Sequence, residues 1–184
     1  MTDFSSPACP ALPLFIQATG SYSIGLDSMQ AAGQTAGSAV RTWTANLVSY
    51  TPVTLPFPYP VKRVWWINGS TITSTNVDFG IYSWAGVLIY NTGSTAMVGA
   101  SAMQYVTPGT EFVLDAGRYY FAWTCNNTTS RGYAQAGSVN GSRVAGLLQE
   151  TTAGFGLPAT MTPVAFAQAW GPSACGVTRT TTGF

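Results

Sequence analysis

Histidine is absent from this 184-residue chain. That removes the usual triad base, the commonest zinc ligand and the ordinary proton shuttle. Charge is scarce as well. Only 7% of residues are charged, against roughly 25% in an average soluble domain. The seven basic residues are scattered as Arg41, Lys62, Arg63, Arg118, Arg131, Arg143 and Arg179. Lys62 and Arg63 alone are adjacent, and neighbours on a strand point to opposite faces. Nucleic-acid recognition needs a basic patch or stripe, so nucleic acid is not an expected partner. No uninterrupted apolar run reaches the ~18 residues of a membrane-spanning helix. A transmembrane barrel fits poorly with uneven strand lengths and Pro-rich breaks. The N-terminal MTDFSSPACPALPLF has no basic n-region and no continuous apolar h-region, so synthesis and folding in a cytoplasm are expected.

Cysteine is limited to Cys9, Cys125 and Cys175. An odd number closes no intrachain framework, and three dispersed thiols make no four-cysteine zinc site. Cys125 shares a strand parity with Tyr119, Phe121 and Trp123 and reads as a buried thiol. Cys9 and Cys175 are expected as free thiols, a bond between them remaining open. Phosphate-binding GxGxxG and GKS/T loops are missing, as is a DxDxDG calcium loop. No cofactor or metal is expected.

What is present is β-structure. Apolar residues make up 46% of the chain and aromatics 13%, which excludes disorder. VKRVWWIN, NVDFGIYSW, VLIYNTGS, AMQYV, EFVL and GRYYFAWTC are each bounded by Gly, Pro, Asn, Ser or Thr. Such spacing predicts an all-β, antiparallel β-sandwich, its core long enough to need no metal or disulfide. Val61, Arg63, Trp65 and Ile67 are predicted on one face; Lys62, Val64, Trp66 and Asn68 on the other. Alternation from Val40 to Val48 predicts a further strand. Four prolines from Pro52 to Pro60 predict an edge, crossover or arch. Asn68-Gly69 predicts a tight turn, and Ala85-Gly86 a hairpin. The strand from Arg118 to Cys125 is bulky on both faces, hence central and covered twice, one cover conceivably a neighbouring subunit. SRVAGLLQE favours a strand over a helical turn.

Three sections are expected: an extended Pro-rich arm over 1–20, one sandwich domain over 21–172 and a C-terminal tail over 173–184. A polar surface of Thr, Ser, Asn, Gln and Gly has little charge to repel neighbours, so other subunits are expected to cover it.

The carboxylates are Asp3, Asp27, Asp78, Glu111, Asp115 and Glu150. A glycosidase needs two of them flanking a sugar bond. Asp78 lies in an aromatic stretch, but its expected role is an outward polar residue or turn cap, with no partner placed by sequence. Asp115 and Asp27 read as turn and loop residues. The Asn-X-Ser/Thr matches at Asn68, Asn126, Asn127 and Asn140 read as turns. No enzymatic activity is expected. Aromatic residues carry the remaining functional signal. Tyr59, Trp66, Tyr82, Trp84 and Trp170 are the candidates for a subunit interface or a glycan-stacking platform, with core and interface the favoured reading.

The block VKRVWWINGSTITSTNVDFGIYSWAGVLIYNTGSTAMVG, followed by QYV and LDAGRYYFAWTCNN, resembles a module of tailed-bacteriophage virion proteins. The ending FGLPATMTPVAFAQAWGP is similar to the tail of such proteins. The likeness spans about Arg41 to Pro172 and consists of fold residues, not active-site residues. It implies a jelly-roll-like sandwich acting in a particle. The expected role is an oligomeric capsid decoration (cement) protein, a homotrimer fastened to the major capsid protein or other virion proteins. The alternative it implies is a receptor- or glycan-binding module of a tail or head fibre, with a host-surface glycan as partner.

Overall fold

The computed structural model describes residues 23–25, 39–73, 75–129, 131–136, 139–144, 146–168, 170–172 and 175–179. For 23–25, 39–41, 131–136, 141–142, 144 and 170–172 the description covers backbone alone. The expected arm over 1–20, Cys9 and the side chain of Trp170 lie outside it.

Among the described residues sixteen strands and one short helix follow in chain order. The first eight strands are β1 (Ser23–Gly25), β2 (Ala39–Thr42), β3 (Leu47–Leu55), β4 (Tyr59–Val61), β5 (Arg63–Ile67), β6 (Asn76–Ser83), β7 (Leu88–Asn91) and β8 (Thr95–Ala96). Next come β9 (Met103–Val106), β10 (Phe112–Leu114), β11 (Gly117–Cys125) and β12 (Arg131–Ala136). Helix α1 (Val139–Val144) precedes β13 (Leu148–Thr151), β14 (Val164–Ala165), β15 (Trp170–Pro172) and β16 (Cys175–Thr178). The chain is all-β, and the strand pairings are antiparallel.

The largest sheet runs β14-β13-β3-β11-β6-β7, with β8 also pairing β6. A second runs β1-β16-β5-β9; smaller ones are β10-β4 and β15-β12-β2. One apolar core joins the large sheet to the layer formed by β4, β5, β10 and β16. Val53, Leu55, Val77, Phe79, Ile81, Phe121, Trp123 and Cys125 come from the large sheet. Tyr59, Val61, Val64, Trp66, Leu114, Cys175 and Val177 meet them. The period of two in each strand produces this division. Edge-to-face rings lock the middle: Trp66 on Trp123 at 5.5 Å and Phe79 on Phe121 at 5.6 Å.

β11 is central and covered on both faces, as its double bulk predicts. The second cover belongs to the chain itself. Val48, Tyr50, Tyr82, Tyr120 and Ala122 on the outer face pack with Met161, Leu157, Leu88 and Leu148. Residues 152–163 thus form a strap across the large sheet. The Ala85-Gly86 hairpin is present between β6 and β7, with Gly86 at φ 82°.

Several local expectations are corrected. Alternation breaks at Lys62, which separates β4 from β5, so Val61 faces the core with Val64 and Trp66, away from Arg63. The run from Val40 breaks at a turn where Asn46 takes φ 59°, a conformation asparagine tolerates. Pro52 lies inside β3. β13 pairs β3 only from Leu47 to Tyr50, so the donor that Pro52 lacks has no ladder to serve there. SRVAGLLQE is divided between α1 and β13, with Gly146 at φ 78° closing the helix through its N–H to Arg143 O at 2.9 Å. Cys175–Thr178, expected in a C-terminal tail, forms a fully buried strand between β1 and β5. Its apolar residues Cys175 and Val177 complete the core, so the sheet extends beyond residue 172.

Candidate functional site

Burial decides the fate of four of the five aromatic candidates, the side chain of Trp170 lying outside the described residues. Tyr59, Trp66 and Tyr82 lie in the chain's own core, at 1%, 1% and 0% exposure. They offer no surface to a glycan or a second subunit. Strand parity places an aromatic on a face; it does not say what covers that face. Trp84, at the β6–β7 turn, is 43% exposed. Its ring is stacked on Tyr120 at 4.6 Å and 7°, and the Arg118 guanidinium lies 3.5 Å from its centroid. Two parallel groups this close cannot share one face of an indole. Trp84 is therefore enclosed between Arg118 and Tyr120, its edge open and its faces occupied. A sugar ring stacks on a face, and none of these four offers a free one.

Two carboxylates are built into the outer face of the large sheet, where the strap crosses it. Asp78 on β6 is 2% exposed, not the outward polar residue expected. Its Oδ2 accepts from Asn91 Nδ2 at 3.0 Å and from the Leu157 N–H at 3.1 Å, while Oδ1 accepts from Thr92 Oγ1 at 3.4 Å. Burial raises the Asp78 carboxyl above the usual range, against the lowering effect of these donors. Gly80, two residues on, leaves the space that Leu157 fills; a Cβ there would collide with the Leu157 Cδ1. Tyr82 OH donates to Pro158 O at 2.6 Å.

Glu150 on β13 holds the far side of the strap. Its Oε1 accepts from Thr162 Oγ1 at 2.7 Å. Oε2 accepts from Thr162 N–H and from Tyr50 OH, each at 2.9 Å. Desolvation pushes this carboxyl up, but the bonds from Thr162 and Tyr50 outweigh it and hold Glu150 below the usual range. Burial, then the bond to Glu150, raises the Tyr50 phenol; burial raises Tyr82 as well. Both carboxylates thus face donors that fasten the strap. Neither opens onto a cleft flanking a bond to be cleaved, the geometry a glycosidase needs. Among the described residues no cluster of three metal-ligating side chains occurs.

Asn68, read as a turn residue, is a fully buried hub. Oδ1 accepts from Trp66 Nε1 at 2.9 Å. Nδ2 reaches Val98 O at 2.7 Å, Gln104 Oε1 at 3.0 Å and Gly99 O at 3.1 Å. β5 pairs with β9 and β16 and makes no hairpin with β6. The NG signal predicted a turn because spacing cannot show long-range acceptors.

The sheet edges form the remaining feature. β7 and β14 end the large sheet, β9 ends the second, and β10 pairs β4 alone. Each carries an exposed apolar residue: Ile89 on β7, Met103 and Tyr105 on β9, Val113 on β10 and Val164 on β14. None of these strands contains a charged residue, although charge is the common guard of a free edge. Strand alternation alone does not mark β7, β9, β10 or β14 as edges. The Lys62–Glu111 ion pair at 3.3 Å is solvent-exposed and adds little.

No protein-family model matches the sequence, and a search of the curated proteins returns no match.

Proposed function

We propose that the chain is a non-enzymatic structural component of a phage virion, an oligomeric capsid decoration protein with a jelly-roll-like sandwich. One observation carries the reading: the edge strands β9, β10 and β14 display apolar side chains and contain no charged residue. A chain with such edges favours pairing with a neighbour. Subunit contacts would be held by apolar burial at roughly 25 cal/mol per Å², not by ion pairs. The Pro-rich residues 1–20 serve in this reading as an attachment arm, and the major capsid protein is the partner. The resemblance to phage virion proteins supplies the particle; the chemistry of the edges supplies the oligomer. The glycan-binding alternative draws no support from Trp84, which has both ring faces filled.

The test is co-sedimentation of the purified full chain with empty tailed-phage shells stripped of decoration. Pelleting with shells, saturable on titration, is the expected result. A chain that stays in the supernatant overturns the capsid role and moves the protein to a fibre or tail.

A further inference from the structure

The strap is joined to the sheet by contacts of unequal kind. At β6 and β7 they are mostly neutral or backbone: Tyr82 OH to Pro158 O, Leu88 N–H to Ala159 O at 3.0 Å, and Met161 N–H to Gly86 O at 2.9 Å. Leu157 N–H on Asp78 is the charged exception there. At β13 the attachment of Thr162 is a single carboxylate, which accepts both its N–H and its hydroxyl.

Protonation affects the two carboxylates differently. In Asp78 the strap's donor, Leu157, and Asn91 converge on Oδ2; a proton on Oδ1 disturbs the bond from Thr92, which is not part of the strap, and leaves the Leu157 bond in place. In Glu150 both oxygens already face donors. A proton on either one displaces a bond and removes the charge from the rest, and charge-assisted bonds are roughly twice as strong as neutral ones.

We propose that Glu150 is an acid-operated latch. Ionised, it holds the C-terminal end of the strap closed beside Tyr50; protonated, it frees Thr162 and Pro163, while the backbone bonds at Ala159 and Met161 and the two-layer core stay in place. The titratable groups facing Glu150 are Tyr50 from β3 and Tyr82 from β6. Both phenols are raised and stay neutral through the acid range. Arg143 of α1 is engaged with Phe166 O at 2.9 Å. The held-down carboxyl gives the direction. Its contribution is present above the unfolded-chain value and is lost as pH falls through the folded one. The latch does not depend on the phage reading.

Hydrogen exchange by mass spectrometry on the intact chain tests it, with rates corrected for intrinsic pH dependence. Lowering the pH from about 7 to about 3 should cut protection of the Thr162 amide, read from overlapping strap peptides that carry it, about ten-fold relative to the β11 peptide. Glu150→Gln should show the same loss at neutral pH, and Asp78→Asn should not. Thr162 protection that is unchanged in acid, or lost together with that of β11, overturns the latch. So does a folded Glu150→Gln variant with wild-type protection. If that variant does not fold, the wild-type acid series decides alone.

Discussion

A buried carboxylate is stable only where donors replace its water. Asp78 has such donors from β7, the β7–β8 turn and the strap, and its carboxyl is still raised because burial outweighs them. In the folded chain the group therefore keeps its proton to a higher pH than in the unfolded chain. Its contribution to stability is complete below the unfolded-chain value and is lost as pH rises through the higher folded one. Asp78→Asn, its Oδ1 placed toward Asn91 and Leu157, keeps those two bonds without the charge. It should raise the melting temperature at neutral pH. Asp78→Ala leaves the Leu157 N–H and the Asn91 amide short of an acceptor and should cost about 1–3 kcal/mol in urea denaturation. A neutral-pH loss in Asn as large as that in Ala would show that the charge itself is needed.

Elements divide by what local pattern encodes. β6, β7, β9, β10 and β11 were legible because alternation and turn residues are local properties. The breaks at Asn46 and Lys62 were not, since a kink leaves composition unchanged. Pro52 was half legible: proline marks a side without a ladder, and β3 is a local edge there, but only the length of β13 shows that the strand continues through it. The strap was illegible because its anchors, Asp78 and Glu150, lie 72 residues apart in sequence yet hold one segment. The buried place of Tyr59, Trp66 and Tyr82 was half legible: strand parity gave a face, not its cover. Edge status follows from strand order and carries its own prediction. Val113→Lys and Met103→Lys put charge on two free edges without touching the core, as both residues are exposed. Monomer stability should change by less than about 0.5 kcal/mol, while self-association weakens, as read by sedimentation velocity. Unchanged association in both variants would remove β9 and β10 from the interface.

At the scale of the whole molecule, low charge and a core complete within one chain lead to the same reading. The core draws on both layers, the outer face has its own strap, and surface ion pairs contribute little. The unguarded part is the set of sheet edges. An obligate oligomer of this kind would depend on apolar contact and should resist salt, since the Debye length matters only where charges hold the interface. The most direct measurement is light scattering of the purified full chain over a dilution series at low and high salt. The account predicts a mass about three times the 19.3 kDa of the chain, kept on dilution and in salt. A species that stays at 19.3 kDa at every concentration would contradict it.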